Sequence, residues 1–224
     1  MNKQILVIAA HPDDEVLGMG GTLLKFVKKK HNLHIAFLSK GEASRGQRIS
    51  NEPLRISQAN KVGKRLGARI HWVENFPDNE FDKVNLLIIV KSIEKIIREI
   101  KPQAVYTHHH EDLNIDHRLT YRAVMTALRP GKSSVKEIFS FEILSSTEWQ
   151  AKNSGNVFLP NVYMDVEEHI SGKVELMNIY ARETGKFPFP RSKEGLRTLA
   201  KYRGMESGLK YAEAFELIRN IIVK

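Results

Sequence analysis

The chain has 224 residues, of which 42% are hydrophobic, 27% charged and 8% aromatic, a composition that excludes disordered, collagen-like and coiled-coil classes. It contains no cysteine, which excludes disulfides, cysteine nucleophiles and thiolate-bound metals. The 35 Lys+Arg against 26 Asp+Glu leave a formal net charge of +9, which suits a nucleic acid, an anionic surface, an acidic small substrate or merely a lysine-rich solvated face.

The first apolar run, residues 4–10, is continuous and suits a central parallel strand. Its purely apolar part is six residues long, far short of the ~20 a membrane helix needs. It leads straight into His11-Pro12-Asp13-Asp14, unlike a signal peptide, so the expected location is cytoplasmic. A helix follows in which Leu17, Gly20, Gly21, Leu24 and Val27 share a face, fraying at residues 28–30. Residues 33–38 read as a second strand and 53–66 as a helix, with Gly67 as its stop signal. Residues 69–73 give a third strand. Leu86, Ile89, Val90, Ile93, Ile97 and Ile100 then mark an amphipathic helix, ended by Pro102.

Residues 104–107 read as a fourth strand, followed by a histidine-rich loop and a helix over about 116–128; residues 137–144 would be a fifth strand. Strands alternating with helices in this order predict a doubly wound, mostly parallel α/β sheet of Rossmann-like type, with helices on both faces. After residue 145 the pattern changes to a polar stretch, a short strand near 161–166 and helical periodicity to the end. The expectation is a single domain over 1–224, with a core over 1–145 and a C-terminal strand and helix appendage over 146–224 packed on it. In such sheets ligands sit beyond the carboxyl ends of the strands, where strand order reverses.

Two segments at that edge carry chemistry. After the first strand, His11 and Asp14 are three apart across a strand-to-helix turn, a spacing that lets both side chains converge on one metal ion. Asp13 and Asp14 serve equally well as helix caps. After the fourth strand, His108, His109, His110 and His117 put four of the nine histidines within ten residues, and Asp116-His117 opens the next helix as Asp14 opens the first. Without thiols, zinc must be held by nitrogen and oxygen, and two histidines with one carboxylate is a known catalytic arrangement.

The run Ala10-His11-Pro12-Asp13-Asp14-Glu15, followed by Gly18 and Gly20-Gly21-Thr22, resembles the signature of the LmbE-like (PIG-L) de-N-acetylase family. That family includes N-acetylglucosaminyl-phosphatidylinositol, mycothiol-pathway and bacillithiol-pathway deacetylases. Asn114-Ile115-Asp116-His117-Arg118 is similar to its second motif. Gly41-Glu42, Pro77-Asp78, Pro190-Arg191-Ser192 and Tyr211-Ala212-Glu213 extend the resemblance over nearly the whole chain. The resemblance implies one zinc ion per chain held by His11, Asp14 and His117, Asp13 as general base and Asp116 as the group orienting a ligand. Asn114 stands where some relatives have an oxyanion-stabilising histidine; an amide donates a hydrogen bond but cannot shuttle a proton, so the general-acid step would fall to Asp13. His108, His109 and His110 are candidates for oxyanion contact.

For the substrate, Glu42, Arg45 and Arg55 face the same edge, and Arg191 and His110 join them as candidates. A guanidinium fork suits a carboxylate or phosphate. Trp149 would either wall the sugar or pack the appendage onto the sheet. The implied activity is zinc-dependent hydrolysis of the N-acetyl group of an N-acetylglucosamine-type sugar or glycoside; enzymes of the family it resembles often form homo-oligomers. The alternative within the fold is a zinc amidase for larger amide conjugates. A nicotinamide-dinucleotide-binding Rossmann protein fits poorly, because Leu23 occupies the third glycine position and acidic residues fill the turn. No zinc finger, aromatic RNA-binding motif or basic stripe supports a nucleic-acid partner.

Overall fold

The computed structural model describes residues 2–41, 52–131, 133–152, 155 and 157–222. Strands β1 (Gln4–Ala9), β2 (Asn32–Phe37), β3 (Arg69–Trp72), β4 (Ala104–His108), β5 (Glu137–Phe141), β6 (Val162–Asp165) and β7 (Ala212–Asn220) form one sheet in the order β3-β2-β1-β4-β5-β7-β6. The first five run parallel. β7 lies antiparallel between β5 and β6. The helices are α1 (Asp14–Lys28), α2 (Glu52–Leu66), α3 (Leu86–Ile100), α4 (Ile115–Ala127), α5 (Ile170–Ile179) and α6 (Lys193–Ser207). The predicted mostly parallel α/β sheet is the observed one.

Strand alternation builds a core on each face. Ile5, Val7 and Ala9 of β1 join Leu17 and Leu23 of α1, Val62 and Leu66 of α2, Val174 of α5 and Leu196 of α6. Leu6 and Ile8 join Ile89, Ile93 and Ile97 of α3 and Val124 of α4. The apolar stripe that predicts α3 is the one it buries. Strand order reverses between β1 and β4, so the ends of these strands, at Ala9 and His108, open the crevice at the edge the sequence indicates.

One prediction fails. The helical periodicity expected to continue to the C-terminus gives way to β7 at residues 212–220. Ala212, Glu213, Ala214, Glu216 and Leu217 are good helix formers, but here the chain hydrogen-bonds to strands on both sides. Two buried partners fix its faces: Glu213 meets Lys173 of α5 at 2.6 Å, and Glu216, on the opposite face, meets His109 at 2.9 Å.

Helix α1 is interrupted at Met19, whose φ of −150° is not helical. The glycines around the break serve close packing: a Cβ on Gly18 would lie 2.5 Å from the Phe141 ring, and one on Gly21 2.9 Å from Val166. Among the described residues, no helix is long and apolar enough to cross a membrane.

Candidate metal centre

The chain leaves β1 through Ala10 and turns into α1 with Asp13 at φ 112°, a left-handed conformation costly for a non-glycine residue. That turn sets His11, Asp13 and Asp14 over the end of the sheet, and α4 brings His117 to them. His11 Nδ1 lies 3.5 Å from Asp14 Oδ2, and His117 Nε2 lies 3.4 Å from Asp14 Oδ1. All three residues are buried, and one ligand atom from each lies within 4.8 Å of the others. Two donors ~2.0–2.1 Å from one zinc ion at a tetrahedral angle stand roughly 3.3 Å apart. The donor set and its spacing therefore fit a zinc ion.

Each imidazole has its other nitrogen on a carboxylate, which fixes ring orientation and leaves the inner nitrogen free for a metal. His11 Nε2 is 2.9 Å from Asp116 Oδ2 and 3.0 Å from Asp78 Oδ1. His117 Nδ1 is 3.1 Å from Asp112 Oδ1. The acids are held in turn: Asp116 accepts from the Asn79 and Phe81 amides at 2.7 and 3.0 Å, and Asp112 from Thr147 Oγ1 at 2.6 Å, the Asn114 amide at 2.9 Å and Ser146 Oγ.

Acid on both sides of each ring favours positive charge between them. Burial opposes protonation of His117, yet Asp14 and Asp112 raise it to about 9. Burial likewise pushes Asp14 up, but the charge of His117 beside it holds it well below the usual carboxylate range. A divalent cation would supply positive charge where these carboxylates converge.

Asp13 lies beside the group. Its Oδ2 accepts from Arg191 Nη1 at 3.0 Å and lies 3.7 Å from Arg55 Nη2. Both guanidiniums also face Glu183, at 3.3 Å from Arg55 and 3.8 Å from Arg191. Burial raises the Asp13 carboxyl to about 6, against the lowering by the two arginines. Glu15 Oε2 accepts from the Asp13 amide at 3.0 Å, and Glu15 Oε1 accepts from the Tyr180 hydroxyl at 2.7 Å. Burial lifts Glu15 to about 8.

The remaining candidates separate. Asn114 caps α4, its Oδ1 accepting from the Asp116 amide at 2.8 Å while its Nδ2 donates to Asn79 Oδ1 at 3.0 Å. His108 stacks on His117 with ring centres 3.9 Å apart, and its Nε2 accepts from the Ala10 amide at 2.9 Å. Burial, with His117 alongside, holds His108 down at about 3, so it stays neutral. His109 faces away toward Glu216, and His110 packs beside it with ring centres 4.3 Å apart. The structure therefore groups His110 with His109 and Glu216 and does not bring it to His11, Asp14 and His117. Glu42 and Arg45 lie outside the described residues. Trp149 is exposed.

Sequence reading missed Asp78, Asp112, Tyr180 and Glu183. Asp78 and Asp112 stand inside segments it singled out, but nothing local gave them a role. Tyr180 and Glu183 carry no local signal, because only packing brings them to Asp13 and Glu15.

The PIG-L family model, described as GlcNAc-PI de-N-acetylase, matches residues 6–128. The chain is 28% identical over 171 residues to the uncharacterized deacetylase YaiS of Escherichia coli, covering 74% of this chain and 83% of that one. It is 25% identical over 239 aligned positions to the diacetylchitobiose deacetylase of Thermococcus kodakarensis, covering 99% and 85%. The solved structure of GalB, the 4-carboxy-2-hydroxymuconate hydratase of Pseudomonas putida, superposes with a TM-score of 0.75 at 18% identity, covering 99% of this chain and 98% of that one. That likeness shows the fold alone, and a fold hosts more than one chemistry.

Proposed function

We infer, from the premise that the chain belongs to the PIG-L family of GlcNAc-PI de-N-acetylases, that this deacetylase uses zinc to hydrolyse the acetamide of an N-acetylglucosamine-type sugar or glycoside. The observation that carries the reading is the set of His11, Asp14 and His117, with donors 3.4–3.5 Å apart, beside the buried Asp13. His11, Asp14 and His117 would hold the ion. Bound there, zinc supplies Lewis-acid polarisation of the amide carbonyl and a lowered pKa for an attacking water.

The other groups orient, and accept or return a proton. Asp13, raised to about 6, is substantially ionised at neutral pH and suits a general base; once protonated, it returns that proton to the departing amine. Arg191 holds its carboxylate in place, and Glu15 holds its backbone in the left-handed turn. Asp116 and Asp78 orient His11. In this reading Arg55 and Arg191 form the sugar side of the site, while Glu42 and Arg45 are substrate candidates outside the described residues. Asp13 and Glu183 already balance Arg55 and Arg191, so an anionic substituent would compete with Glu183.

The test is acetate release from N-acetylglucosamine, diacetylchitobiose and carboxylated or phosphorylated N-acetylated glycosides, with larger N-acyl conjugates alongside. Acetate from the sugars, with about one zinc per chain, supports the reading. Turnover confined to the larger conjugates selects the amidase alternative, and no amide cleavage on any member overturns both.

A further inference from the structure

We propose that Asp112, which sequence reading gave no role, is a positioning residue that fixes His117 for the metal, an inference that rests on the metal-centre reading above. The two histidines of the centre are not held alike. His11 Nε2 has two carboxylates within 3.0 Å, Asp116 and Asp78. Among the described residues, the carboxylate facing His117 Nδ1 is Asp112 alone, at 3.1 Å. The negative charge of that oxygen favours the His117 proton on Nδ1 and leaves the Nε2 lone pair on the Asp14 side of the site. The stack on His108 constrains the ring's plane but not its rotation within that plane, and the His11 ring lies tilted against it with centres 5.5 Å apart.

Asp112 is fully buried, and such a carboxylate keeps its charge only if donors surround it. The structure supplies them from two directions. The Asn114 amide comes from the start of α4; Ser146 Oγ and Thr147 Oγ1 come from the segment after β5. That segment is tied to Asp13 as well, since Arg191 donates through Nε to Ser145 Oγ at 2.6 Å and through Nη1 to Asp13. One loop thus sets both His117, through Asp112, and Asp13, through Arg191.

The experiment is zinc affinity, measured by competition with a chromogenic chelator on metal-free wild-type, Asp112→Asn, Asp112→Glu and His117→Ala proteins. Asp112→Asn is expected to bind zinc about 10- to 100-fold more weakly, with partial recovery in Asp112→Glu, since removing such a partner costs that much affinity elsewhere. An Asp112→Asn Kd within about twofold of wild type overturns the proposal. If Asp112→Asn fails to fold, the Ser146→Ala, Thr147→Val double variant carries the test. It removes two neutral donors, so affinity should fall several-fold, and unchanged affinity overturns the proposal. A wild-type chain that binds no zinc, or a His117→Ala variant that binds it normally, sinks the metal-centre reading itself, an outcome distinct from normal binding by Asp112→Asn.

Discussion

Lys173 and Glu213 form a buried ion pair, 2.6 Å between Nζ and Oε1, at the break in α1. The break at Met19 leaves helix groups without partners on both sides. Lys173 Nζ donates to the Leu17 carbonyl at 2.8 Å, ending the first segment. Glu213 accepts from the Gly21 and Thr22 amides at 2.9 and 2.6 Å, starting the second. A lysine of α5 and a glutamate of β7 thereby complete the helix whose first turn carries Asp14 and Glu15.

Lys173→Met is expected to lower stability by about 3–5 kcal/mol, because it strands a buried carboxylate and an unsatisfied carbonyl. Urea unfolding with two-state analysis measures this. A loss below about 1 kcal/mol would mean that Glu213 needs no counter-charge.

Gly18→Ala should cost about 1–3 kcal/mol by overpacking, since its Cβ would lie 2.5 Å from Phe141 Cδ2. Adding Phe141→Leu should recover part of that loss, and strict additivity in thermal unfolding would argue against a clash between the two side chains.

Acid should weaken the fold through His34. Its Nε2 donates to Gln4 Oε1 at 3.1 Å, so Nδ1 accepts from His71 Nε2 at 3.0 Å, and protonation would lose that acceptor. Burial, with His71 and Arg69 nearby, lowers His34 to about 4 from an ordinary 6.5. The unfolded chain thus takes up the proton first; this contribution is complete above pH 6.5 and is lost as pH falls toward 4. The full shift corresponds to about 3 kcal/mol, and solvent screening around the partly exposed pair brings the expected loss to on the order of 1–2 kcal/mol. Denaturation at several pH values should show that slope flattened in His34→Gln; an identical slope would place the titration elsewhere.

Asp13→Asn should keep zinc and fold while losing about 100- to 10,000-fold in kcat, the usual weight of a general base. Metal analysis beside acetate-release kinetics separates the outcomes. Near-normal kcat would remove Asp13 from proton transfer, and lost zinc would make it part of metal retention.

The first five strands and their helices were legible because each is locally consistent: short apolar runs for strands, a 3.6-residue stripe for α3, and Gly67 at φ 58° where α2 stops. β7 was not, because Ala212, Glu213, Ala214 and Leu217 favour a helix and are overruled by neighbours from β5 and β6. Likewise, the meeting of His11, Asp14 and His117 at one sheet edge was legible in the chain order, since residues just beyond neighbouring parallel strands must meet there. What orients and charges them was decided by tertiary structure alone. Arg191 reaches Asp13 across 178 positions, and Tyr180 reaches Glu15 across 165. Asp112 lies five residues before His117, yet its carboxylate is held by Ser146 and Thr147, more than thirty positions away. Contacts at such separations follow from which faces pack together, and no local periodicity encodes that.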